Sequence, residues 1–363
     1  MKLVVFGLTI SSSWGNGHAT IWRGLLSALF QRGHRAVFFE KDAPYYASHR
    51  DMAEAPWAEL VIYSRWEDVR KRAESELKGA DVGMVTSYCP DGRSASELVL
   101  SSGARLSSFY DLDTPVTIKN LEAGRQVCYL PEDGLGGFDI VLSYTGGRTL
   151  KYLSDILGAR NIAPLYGSVD PFAHAPAQKA DEYMADLSYL GTFAEDRQEA
   201  LLKFFVEPAR RFPQKKFVLG GSLYPEEFPW TENIYFARHV PPPRHPAFYS
   251  SAALTLNITR GAMAETGWCP SGRLFEAAAC GSPMVSDWWE GIDTFFTPGS
   301  EVVIVESTDD VVEALKMDDD ERLKIARRAR QRALAEHTSF ERAAEFERIM
   351  EEALRRKVHS CGG

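Results

Sequence analysis

Two stretches of the sequence combine glycines with ionisable side chains in spacings that suit chemistry on a phosphorylated substrate. The first is Ser13-Trp-Gly-Asn-Gly-His-Ala-Thr20, which follows a strand-like apolar run at residues 3–8 and precedes helical periodicity at residues 21–31. Its glycines allow a ligand to approach the backbone closely. Histidine side chains in general can exchange a proton near neutral pH, so His18 is a candidate general base or transition-state hydrogen-bonding group, with a helix cap as the structural alternative.

The same stretch partly matches the dinucleotide-binding fingerprint G-x-G-x-x-G. Gly15-Asn-Gly17-His-Ala-Thr20 has threonine where the third glycine belongs, and the glycines begin later than the fingerprint, which turns directly out of its strand. Glu40 follows at roughly the spacing of the acidic residue that binds the ribose of NAD. An oxidoreductase that uses a nicotinamide or flavin cofactor is therefore one alternative function. The other interpretation is a substrate-binding loop at the carboxyl end of the first strand.

The second stretch, Gly267-Trp-Cys-Pro-Ser-Gly-Arg-Leu-Phe-Glu276, runs into the start of a predicted helix. Ser271 and Gly272 open that helix, whose first-turn amides and dipole can hold a diphosphate, and Arg273 adds a permanent charge. Glu276 lies three residues further on, on the same helical face, where its carboxylate could accept hydrogen bonds from a ribose diol. The alternative is a surface ion pair between Arg273 and Glu276.

Further polar residues lie at predicted strand ends. Asp111-Leu-Asp113 has a D-x-D spacing that could hold a divalent cation, and acceptor contact, general-base catalysis or a structural turn are the other interpretations of this pair. Asn257 and Arg260 could donate hydrogen bonds to a diphosphate or a base, with an ion pair in a turn as the structural alternative. Asp287 could accept hydrogen bonds from sugar hydroxyls.

The composition indicates a folded protein of two domains. The 363 residues are 45% hydrophobic and 25% charged, as in globular chains, and the length suits two domains of ordinary size. A net charge of −9 argues against a broad nucleic-acid-binding surface.

The apolar runs are too short for a transmembrane segment and the start shows no secretory pattern, so we expect a cytoplasmic protein. Five scattered cysteines form no CxxC pair, and His239 and His245 flank prolines without a metal-ligand partner, so no metal site is predicted.

Strand-like and helix-like segments alternate along the chain. Strand patterns recur through residues 3–143, and after an irregular connection at residues 166–183 the same rhythm restarts. This alternation predicts parallel sheets covered by helices on both faces, in two Rossmann-like halves. Residues 318–356 predict two charged amphipathic helices with a break near His337.

Five segments, taken in order, form a specific pattern. They are Leu142-Ser-Tyr-Thr-Gly-Gly147, Tyr166-Gly-Ser-Val-Asp-Pro171, Leu187-Ser-Tyr-Leu-Gly-Thr-Phe-Ala-Glu-Asp-Arg197, Ser271-Gly-Arg-Leu-Phe-Glu-Ala-Ala-Ala-Cys-Gly-Ser-Pro-Met-Val-Ser-Asp287 and Glu290-Gly-Ile-Asp-Thr-Phe-Phe296. Together they resemble the GT-B glycosyltransferases, and most closely the spore-maturation, CgeB-like group. The resemblance covers most of the chain and is more specific for the fold than for the sugar.

The resemblance implies an α/β protein of the GT-B fold, with two Rossmann-like parallel-sheet domains that face each other across a cleft. Residues 1–170 would form the acceptor-binding domain, residues 171–335 the nucleotide-sugar-binding domain, and residues 336–363 a helix returning to the N-terminal domain, plus a tail. The implied reaction is metal-independent transfer of a sugar from a nucleotide-diphosphate donor, by default UDP. The acceptor would be a small molecule, glycan, lipid or protein, and no cofactor besides the nucleotide sugar would be needed.

The residue patterns and the resemblance together predict which residues act. Predicted donor-binding residues are Gly191, Thr192, Arg197, Asn257, Arg260, Ser271, Gly272, Arg273, Glu276 and Asp287. Predicted catalytic residues are His18, Asp111 and Asp113. Predicted acceptor and cleft contacts are Trp14, Asn16 and Gly17. A nucleotide-sugar epimerase or hydrolase on the same fold is a further alternative.

One position departs from the pattern of GT-B enzymes that retain anomeric configuration. Many of those enzymes carry two glutamates, separated by seven residues, of which the second lies near the ribose and the first near the sugar. If Glu276 is the second, Trp268 occupies the position of the first, and Glu265 is a nearby substitute. This departure leaves both stereochemical outcomes open.

Overall fold

The computed structural model describes residues 1–361, which form two compact units. Unit 1 comprises Met1–Tyr166 together with the chain from Ser339 onward, and unit 2 comprises Gly167–Thr338. Each unit has its own parallel sheet and its own apolar core. Within the described residues, no helix combines the length and the apolar character that crossing a membrane requires.

Unit 1 contains a seven-stranded sheet in the order β3-β2-β1-β4-β5-β6-β7, and every strand pair is parallel. The strands are β1 (Lys2–Gly7), β2 (Arg35–Lys41), β3 (Glu59–Tyr63), β4 (Val82–Thr86), β5 (Leu106–Asp111), β6 (Ile140–Ser143) and β7 (Ile162–Pro164). The first six helices are α1 (Gly17–Gln31), α2 (Pro44–Ala47), α3 (Trp66–Leu77), α4 (Gly92–Ser101), α5 (Thr114–Glu122) and α6 (Arg148–Asp155).

Strand β1 lies in the middle of this sheet, where the strand order reverses. Val4 is in register with Val37 of β2 on one side and with Gly83 of β4 on the other. The apolar run predicted at residues 3–8 is buried here, and Phe6 stacks on Phe39 with ring centroids 4.8 Å apart. Ligands of open parallel sheets bind beyond the carboxyl ends of the strands at such a reversal. The loops after β1, β4 and β5 are therefore the functional edge of unit 1.

Helix α1 begins at Gly17, earlier than its periodicity predicts, because Asn16 caps it. The side-chain oxygen of Asn16 accepts a hydrogen bond from the backbone N–H of His18 at 2.9 Å. Its Nδ2 donates to the backbone oxygen of Ser12 at 3.2 Å. A cap of this kind satisfies an otherwise unpaired amide of the first turn. His18 consequently lies in the first turn of the helix and does not itself provide the cap.

The loop between β1 and α1 is held in place by a buried carboxylate. Glu40 of β2 is fully buried and accepts backbone N–H bonds from Ile10 at 2.8 Å and Ser11 at 3.0 Å. It also accepts a hydrogen bond from Ser11 Oγ at 2.5 Å. Both carboxylate oxygens are thus used inside unit 1, so Glu40 is an anchor of the loop and does not present the free acid that a dinucleotide ribose would need.

Unit 2 contains a six-stranded parallel sheet in the order β10-β9-β8-β11-β12-β13. The strands are β8 (Ala185–Leu190), β9 (Phe217–Gly220), β10 (Ile234–Ala237), β11 (Ala252–Asn257), β12 (Met284–Asp287) and β13 (Val303–Val305). The helices are α7 (Gln198–Leu201), α8 (Glu207–Arg211), α9 (His245–Ser251), α10 (Gly261–Thr266), α11 (Gly272–Ala279), α12 (Ile292–Phe295), α13 (Thr308–Ala314) and α14 (Asp319–Glu336). A π-helical turn, Leu202–Val206, joins α7 to α8.

The reversal of strand order in unit 2 lies between β8 and β11. Leu256 of β11 is in register with Tyr189 of β8, so the ends of these two strands lie side by side. Gly191 follows the first strand and Asn257 ends the second. Helix α11 comes after β11 and α10 along the chain and contacts β11 and β12. Its buried Phe275 packs against Phe295 and Phe296. The carboxyl edge around this reversal is the functional edge of unit 2.

The last helix, α15 (Ser339–Cys361), belongs to unit 1 and begins after the break predicted near His337. Glu347 of α15 accepts hydrogen bonds from Arg32 Nε at 2.8 Å and His34 Nε2 at 2.5 Å. The hydrogen bond from Arg32 is the main reason that the pKa of Glu347 falls to about 2. This ion cluster ties the end of the chain to the C-terminal end of α1.

The first prediction concerns the loop anchor. Replacement of Glu40 by alanine leaves two buried amides without an acceptor, and we expect it to lower the free energy of unfolding by about 3 kcal/mol. Urea unfolding monitored by circular dichroism measures this loss. Glu54→Ala is the control, because Glu54 is exposed. Equal stability of the two variants would contradict the anchoring role.

Candidate functional site

Three loops at the functional edge of unit 1 bring together residues that are far apart in the sequence. His18, in the first turn of α1, places its Nε2 2.6 Å from Oδ2 of Asp113, which follows β5. Ser87, directly after β4, donates from Oγ to the same carboxylate oxygen at 3.3 Å. The side chains of His18 and Asp113 keep 11% and 17% of their surface exposed. The pair is therefore held firmly but still reaches solvent, as an acid–base pair must.

Asp111 differs from Asp113 in its environment. It is fully buried, and its Oδ1 accepts the backbone N–H of Asp113 at 2.9 Å. Burial disfavours the charged form and raises the pKa of Asp111 to about 7, with a further contribution from the nearby carboxylate of Asp113. The two carboxylates of the D-x-D pair thus bond to different partners. This geometry favours Asp111 as a positioning residue for the turn and Asp113 as the residue that contacts a ligand.

The predicted acceptor contacts surround this pair in different ways. Asn16 is buried and engaged as the cap of α1. Gly17 has open space where a side chain would begin, so the backbone can be approached there. Trp14 stacks on His49 with ring centroids 4.2 Å apart and an interplanar angle of 13°. Only Gly17 and Trp14 therefore offer a surface to a ligand, and Asn16 acts through the helix.

Tyr88 is a residue of this edge that the sequence did not single out. It has a φ of 58° and is 40% exposed, and its ring centroid lies 5.9 Å from that of His18. A positive φ is unusual for an aromatic residue and is often found at functional sites. No local motif signals this conformation, because it depends on the packing of the loop after β4.

In unit 2, Arg273 joins three elements at the functional edge. Its Nε donates to the backbone oxygen of Leu190 at the end of β8, at 2.5 Å. Its Nη1 donates to Oδ1 of Asn257 at the end of β11, at 2.8 Å. The guanidinium also lies over the ring of Tyr189, 4.9 Å from its centroid. In the described part of the chain no carboxylate lies within ion-pair distance of Arg273, and the guanidinium acts only at longer range on the carboxyl groups of Glu276 and Asp287.

The start of α11 adds backbone donors beside this cation. Ser271 is the N-cap, and its side chain accepts the N–H of Arg273 at 3.4 Å. Gly191 faces the same guanidinium, since a Cβ at that position would lie 2.9 Å from Arg273 Nη2 and 2.7 Å from the hydroxyl of Tyr189. Gly272 begins the helix. Helix amides, a glycine turn and an unpaired arginine together form a site suited to a phosphate group.

The other predicted donor residues divide into those near this site and those with different partners. Arg197 donates from Nη2 to the backbone oxygen of Thr192 at 2.5 Å, and its buried Nε has no partner among the described residues. Arg260 instead forms an ion pair with Asp196 at 3.2 Å. Asp287 accepts bonds from the backbone and the hydroxyl of Thr259.

Burial raises the pKa of Asp287, although the hydrogen bonds from Thr259 oppose the shift. The carboxylate of Asp287 is thus already bonded within unit 2. Arg260, paired with Asp196, likewise lacks the unpaired charge that distinguishes Arg273. The structure therefore groups Gly191, Asn257, Ser271, Gly272 and Arg273 by direct contact. It gives Arg260 and Asp287 structural partners.

Glu276 lies one turn into α11. Its Oε2 accepts a hydrogen bond from the hydroxyl of Tyr249 at 3.1 Å. Burial by itself would raise the pKa of Glu276, but His174, His245, Tyr249 and Arg273 together hold it below its ordinary value. Glu276 is therefore an anionic acceptor, and a surface ion pair with Arg273 is not formed.

The sequence did not indicate that two histidines lie beside Glu276. His245 is the first residue of α9 and not a loop residue, and His174 lies in the irregular connection. One ligand atom from each histidine and from Glu276 lie within 4.8 Å of one another, so these three residues could hold a metal ion. Their separation along the chain hides the group from any search for metal-ligand spacing.

Comparison with known proteins agrees with this architecture. Residues 197–348 match the family model described as glycosyl transferase-like. The solved structure of sucrose-phosphate synthase from Thermosynechococcus elongatus matches with a TM-score of 0.72 at 16% identity, covering 99% of this chain and 100% of the other. The chain has a GT-B glycosyltransferase fold.

Two further structures with this GT-B fold contain nucleotide sugars. Anabaena HepE in complex with UDP-glucose matches with a TM-score of 0.67 at 11% identity, covering 97% of this chain and 100% of the other. An alpha-glucosyltransferase in complex with UDP-glucose and DNA has the same TM-score, 0.67, at 11% identity, covering 96% of this chain and 99% of the other. A search of curated proteins finds no match.

These findings confirm two of the predictions. The structural matches confirm the GT-B fold with two Rossmann-like parallel-sheet domains, and the family match confirms the predicted enzyme class, a glycosyltransferase. The oxidoreductase alternative receives no support, because the dinucleotide-like stretch ends in an anchored loop and Glu40 is already bonded. The assignment of individual site residues stays a prediction.

The second testable prediction concerns Asp111 in this GT-B protein. Its pKa is about 7 in the folded chain and 3.8 as the ordinary value, so the unfolded chain loses a proton that the folded chain keeps between these pH values. The stability contributed by Asp111 therefore falls as the pH rises through this window. Asp111→Asn cannot ionise and should not lose this stability. We therefore expect its free energy of unfolding to rise by about 2–4 kcal/mol relative to that of the native chain as the pH goes from 4 to 7.

Urea unfolding at a series of pH values measures this trend. Asp133→Asn is the matched control, since Asp133 is exposed. Parallel pH profiles for the native chain and Asp111→Asn would show that the buried carboxyl titrates normally.

Proposed function

We propose that this protein transfers a sugar from a UDP-sugar to a hydroxyl group of an acceptor. The observation that carries the proposal is the half-buried guanidinium of Arg273, which is bonded to neutral oxygens and lies beside the first turn of α11. A cation held this way lowers its free energy by binding an anion such as a diphosphate. The UDP-glucose complexes of two structures with the same fold support UDP as the nucleotide.

The donor would lie along the functional edge of unit 2. Its diphosphate would accept hydrogen bonds from the amides at the start of α11 and from Arg273, with Gly191 leaving room for a phosphate oxygen. Arg197, whose Nε is unpartnered, would add a second positive charge. Glu276 would accept hydrogen bonds from the ribose hydroxyls, since its carboxylate is held in the charged form.

The same groups would promote bond cleavage. As the bond between the anomeric carbon and the diphosphate oxygen breaks, the bonding electrons pass to the diphosphate, and Arg273 with the helix dipole stabilises the added charge. Two arginines and the helix amides thus take the place that a metal ion has in other sugar transferases. We therefore propose a metal-independent transfer with no cofactor besides the nucleotide sugar.

The acceptor would bind at the functional edge of unit 1. His18 holds Oδ2 of Asp113, which leaves the other oxygen of this carboxylate for the acceptor hydroxyl. That oxygen takes the proton as the acceptor oxygen forms its bond to the anomeric carbon. His18 Nδ1 is buried, so we assign His18 the role of positioning Asp113 and balancing its charge.

The acceptor class follows from charge and exposure. A net charge of −9 disfavours a nucleic acid, so we propose a small molecule, glycan, lipid or protein. Exposed Tyr88 beside His18 suits the face of a sugar ring or another flat apolar group. The resemblance in the segments from Ser271 to Phe296 is the ground for proposing the CgeB-like group within the fold. The free cysteines Cys89, Cys128, Cys269 and Cys280 fit a reducing compartment, for which we propose the cytoplasm.

The third prediction tests the donor site. Among UDP, GDP, dTDP, ADP and NAD, we expect UDP to give the largest rise in melting temperature, because a ligand of the native state stabilises it by mass action. Arg273→Gln removes a charged donor and should weaken UDP binding about 10- to 100-fold. Arg210→Gln, in the exposed ion pair with Glu207, is the control and should bind UDP normally.

A melting-temperature rise with NAD but not with any nucleoside diphosphate would contradict the proposal. Undiminished UDP binding by Arg273→Gln would place the nucleotide elsewhere.

The fourth prediction tests the acceptor side. Asp113→Asn keeps the size of the side chain but removes the base, so we expect kcat for transfer to fall by about 10²- to 10⁴-fold. The dissociation constant for UDP should not change, because the proposed donor residues all lie in unit 2. Asp133→Asn, exposed and remote in sequence, should transfer at the native rate.

Steady-state assays with a UDP-sugar and an acceptor panel measure these rates. Turnover of UDP-sugar that is equally fast without any acceptor would indicate a hydrolase or an epimerase instead of a transferase.

A further inference from the structure

The group formed by His174, His245 and Glu276 has the composition of a transition-metal site. Two imidazoles and one carboxylate are a common ligand set for zinc, and three protein ligands leave one position open. The ligand atoms lie within 4.8 Å of one another. A tetrahedral ion with bonds of about 2.0–2.1 Å needs its ligand atoms about 3.3 Å apart. Side-chain rotations that move each ligand atom by about an ångström would bring the three atoms to this spacing.

Hydrogen bonds behind the group orient two of its members. His245 donates from Nε2 to the backbone oxygen of Val240 at 3.1 Å, which leaves its Nδ1 as the nitrogen with a free lone pair. Nδ1 is buried and has no partner among the described residues. Tyr249 donates to Oε2 of Glu276 at 3.1 Å. Metal-binding histidines and carboxylates are typically fixed by outer partners of these kinds.

His174 provides an independent indication of a ligand. Its residue is 4% exposed, and both ring nitrogens are buried without a hydrogen-bond partner in residues 1–361. Its ring centroid lies 5.9 Å from that of His245. A buried imidazole with neither nitrogen paired is costly, and a metal ion in the group would satisfy one of these nitrogens.

The donor set favours a cation over an anion at this position. Nδ1 of His245 offers a lone pair, because Nε2 of the same ring donates to Val240, and Glu276 offers a carboxylate oxygen. His245 and Glu276 are half-buried, whereas His174 is buried.

We propose that His174, His245 and Glu276 bind a divalent ion of the zinc class. The ion takes no part in the proposed transfer step. It would affect the enzyme through Glu276, because the proposed function assigns this residue to the donor ribose. To the extent that this assignment holds, ion and donor nucleoside exclude each other, and the bound ion inhibits transfer by occupying the carboxylate.

The fifth prediction measures the metal site without any nucleotide. Titration of the full chain with Zn²⁺ by calorimetry should show one ion per chain. His174→Ala and His245→Ala should each weaken binding by at least about 10-fold, because loss of an outer partner alone already has an effect of this size. His359→Ala removes an exposed histidine of α15 and should bind as the native chain does.

Co²⁺ provides a spectroscopic check on the ligand set. We expect visible bands of a tetrahedral site without the thiolate charge-transfer band that coordination by a cysteine would produce. Circular dichroism and UDP binding of His174→Ala show whether the variant is folded. No binding to the native chain, native affinity in both histidine variants or a thiolate band would each overturn the proposal.

The link to the donor site has its own test. Uridine contains the ribose but no metal-chelating diphosphate, so we expect it to raise the apparent dissociation constant for Zn²⁺ in the native chain. Unchanged Zn²⁺ affinity at a uridine concentration shown to occupy the protein would overturn the inhibitory role of the ion. Because the Zn²⁺ titration alone contains no nucleotide, failure of the metal site is distinguishable from failure of the proposed donor site.

Discussion

The half-buried guanidinium of Arg273, which has no carboxylate within ion-pair distance in the described residues, is the constraint on which the functional edge of unit 2 depends. Its guanidinium bonds to neutral oxygens at the ends of two strands, Leu190 and Asn257. Those bonds orient the charge but do not cancel it. A Cβ at residue 191 would lie 2.9 Å from Nη2, so a side chain there would displace the guanidinium. Arg273 thus links the loop after β8, the end of β11 and the start of α11.

In unit 1, buried carboxylates fix the loops of the functional edge. Glu40 holds the loop after β1 by accepting hydrogen bonds from two backbone N–H groups, and Asp111 holds the turn after β5 by accepting one. These acids are removed from solvent, so they shape the backbone instead of meeting a ligand. His18 and Asp113 lie beside these anchored loops and keep 11% and 17% of their side-chain surface exposed. A fixed backbone with a small reactive pair is the arrangement that acid–base chemistry requires.

Strand order explains why both sites lie where they do. Each sheet reverses its order at one place, between β1 and β4 in unit 1 and between β8 and β11 in unit 2. Loops that leave a parallel sheet on the two sides of a reversal diverge and leave room for a ligand. The GT-B fold thus supplies one binding edge per unit, and the chemistry comes from the few side chains placed there.

The sequence by itself determined the features that depend on near neighbours. The alternation of apolar runs and amphipathic helices predicted two Rossmann-like halves, and Ser271-Gly-Arg predicted the capped start of α11, because the cap and the first helical residues are contiguous. Only the tertiary structure decided the rest. His18 and Asp113 are in contact although they are 95 residues apart in the sequence. Glu40, a candidate ribose ligand in the sequence, anchors a loop in the structure. His174, His245 and Glu276 come together from three separate segments. Such contacts depend on strand order and loop packing, which local residue patterns do not encode.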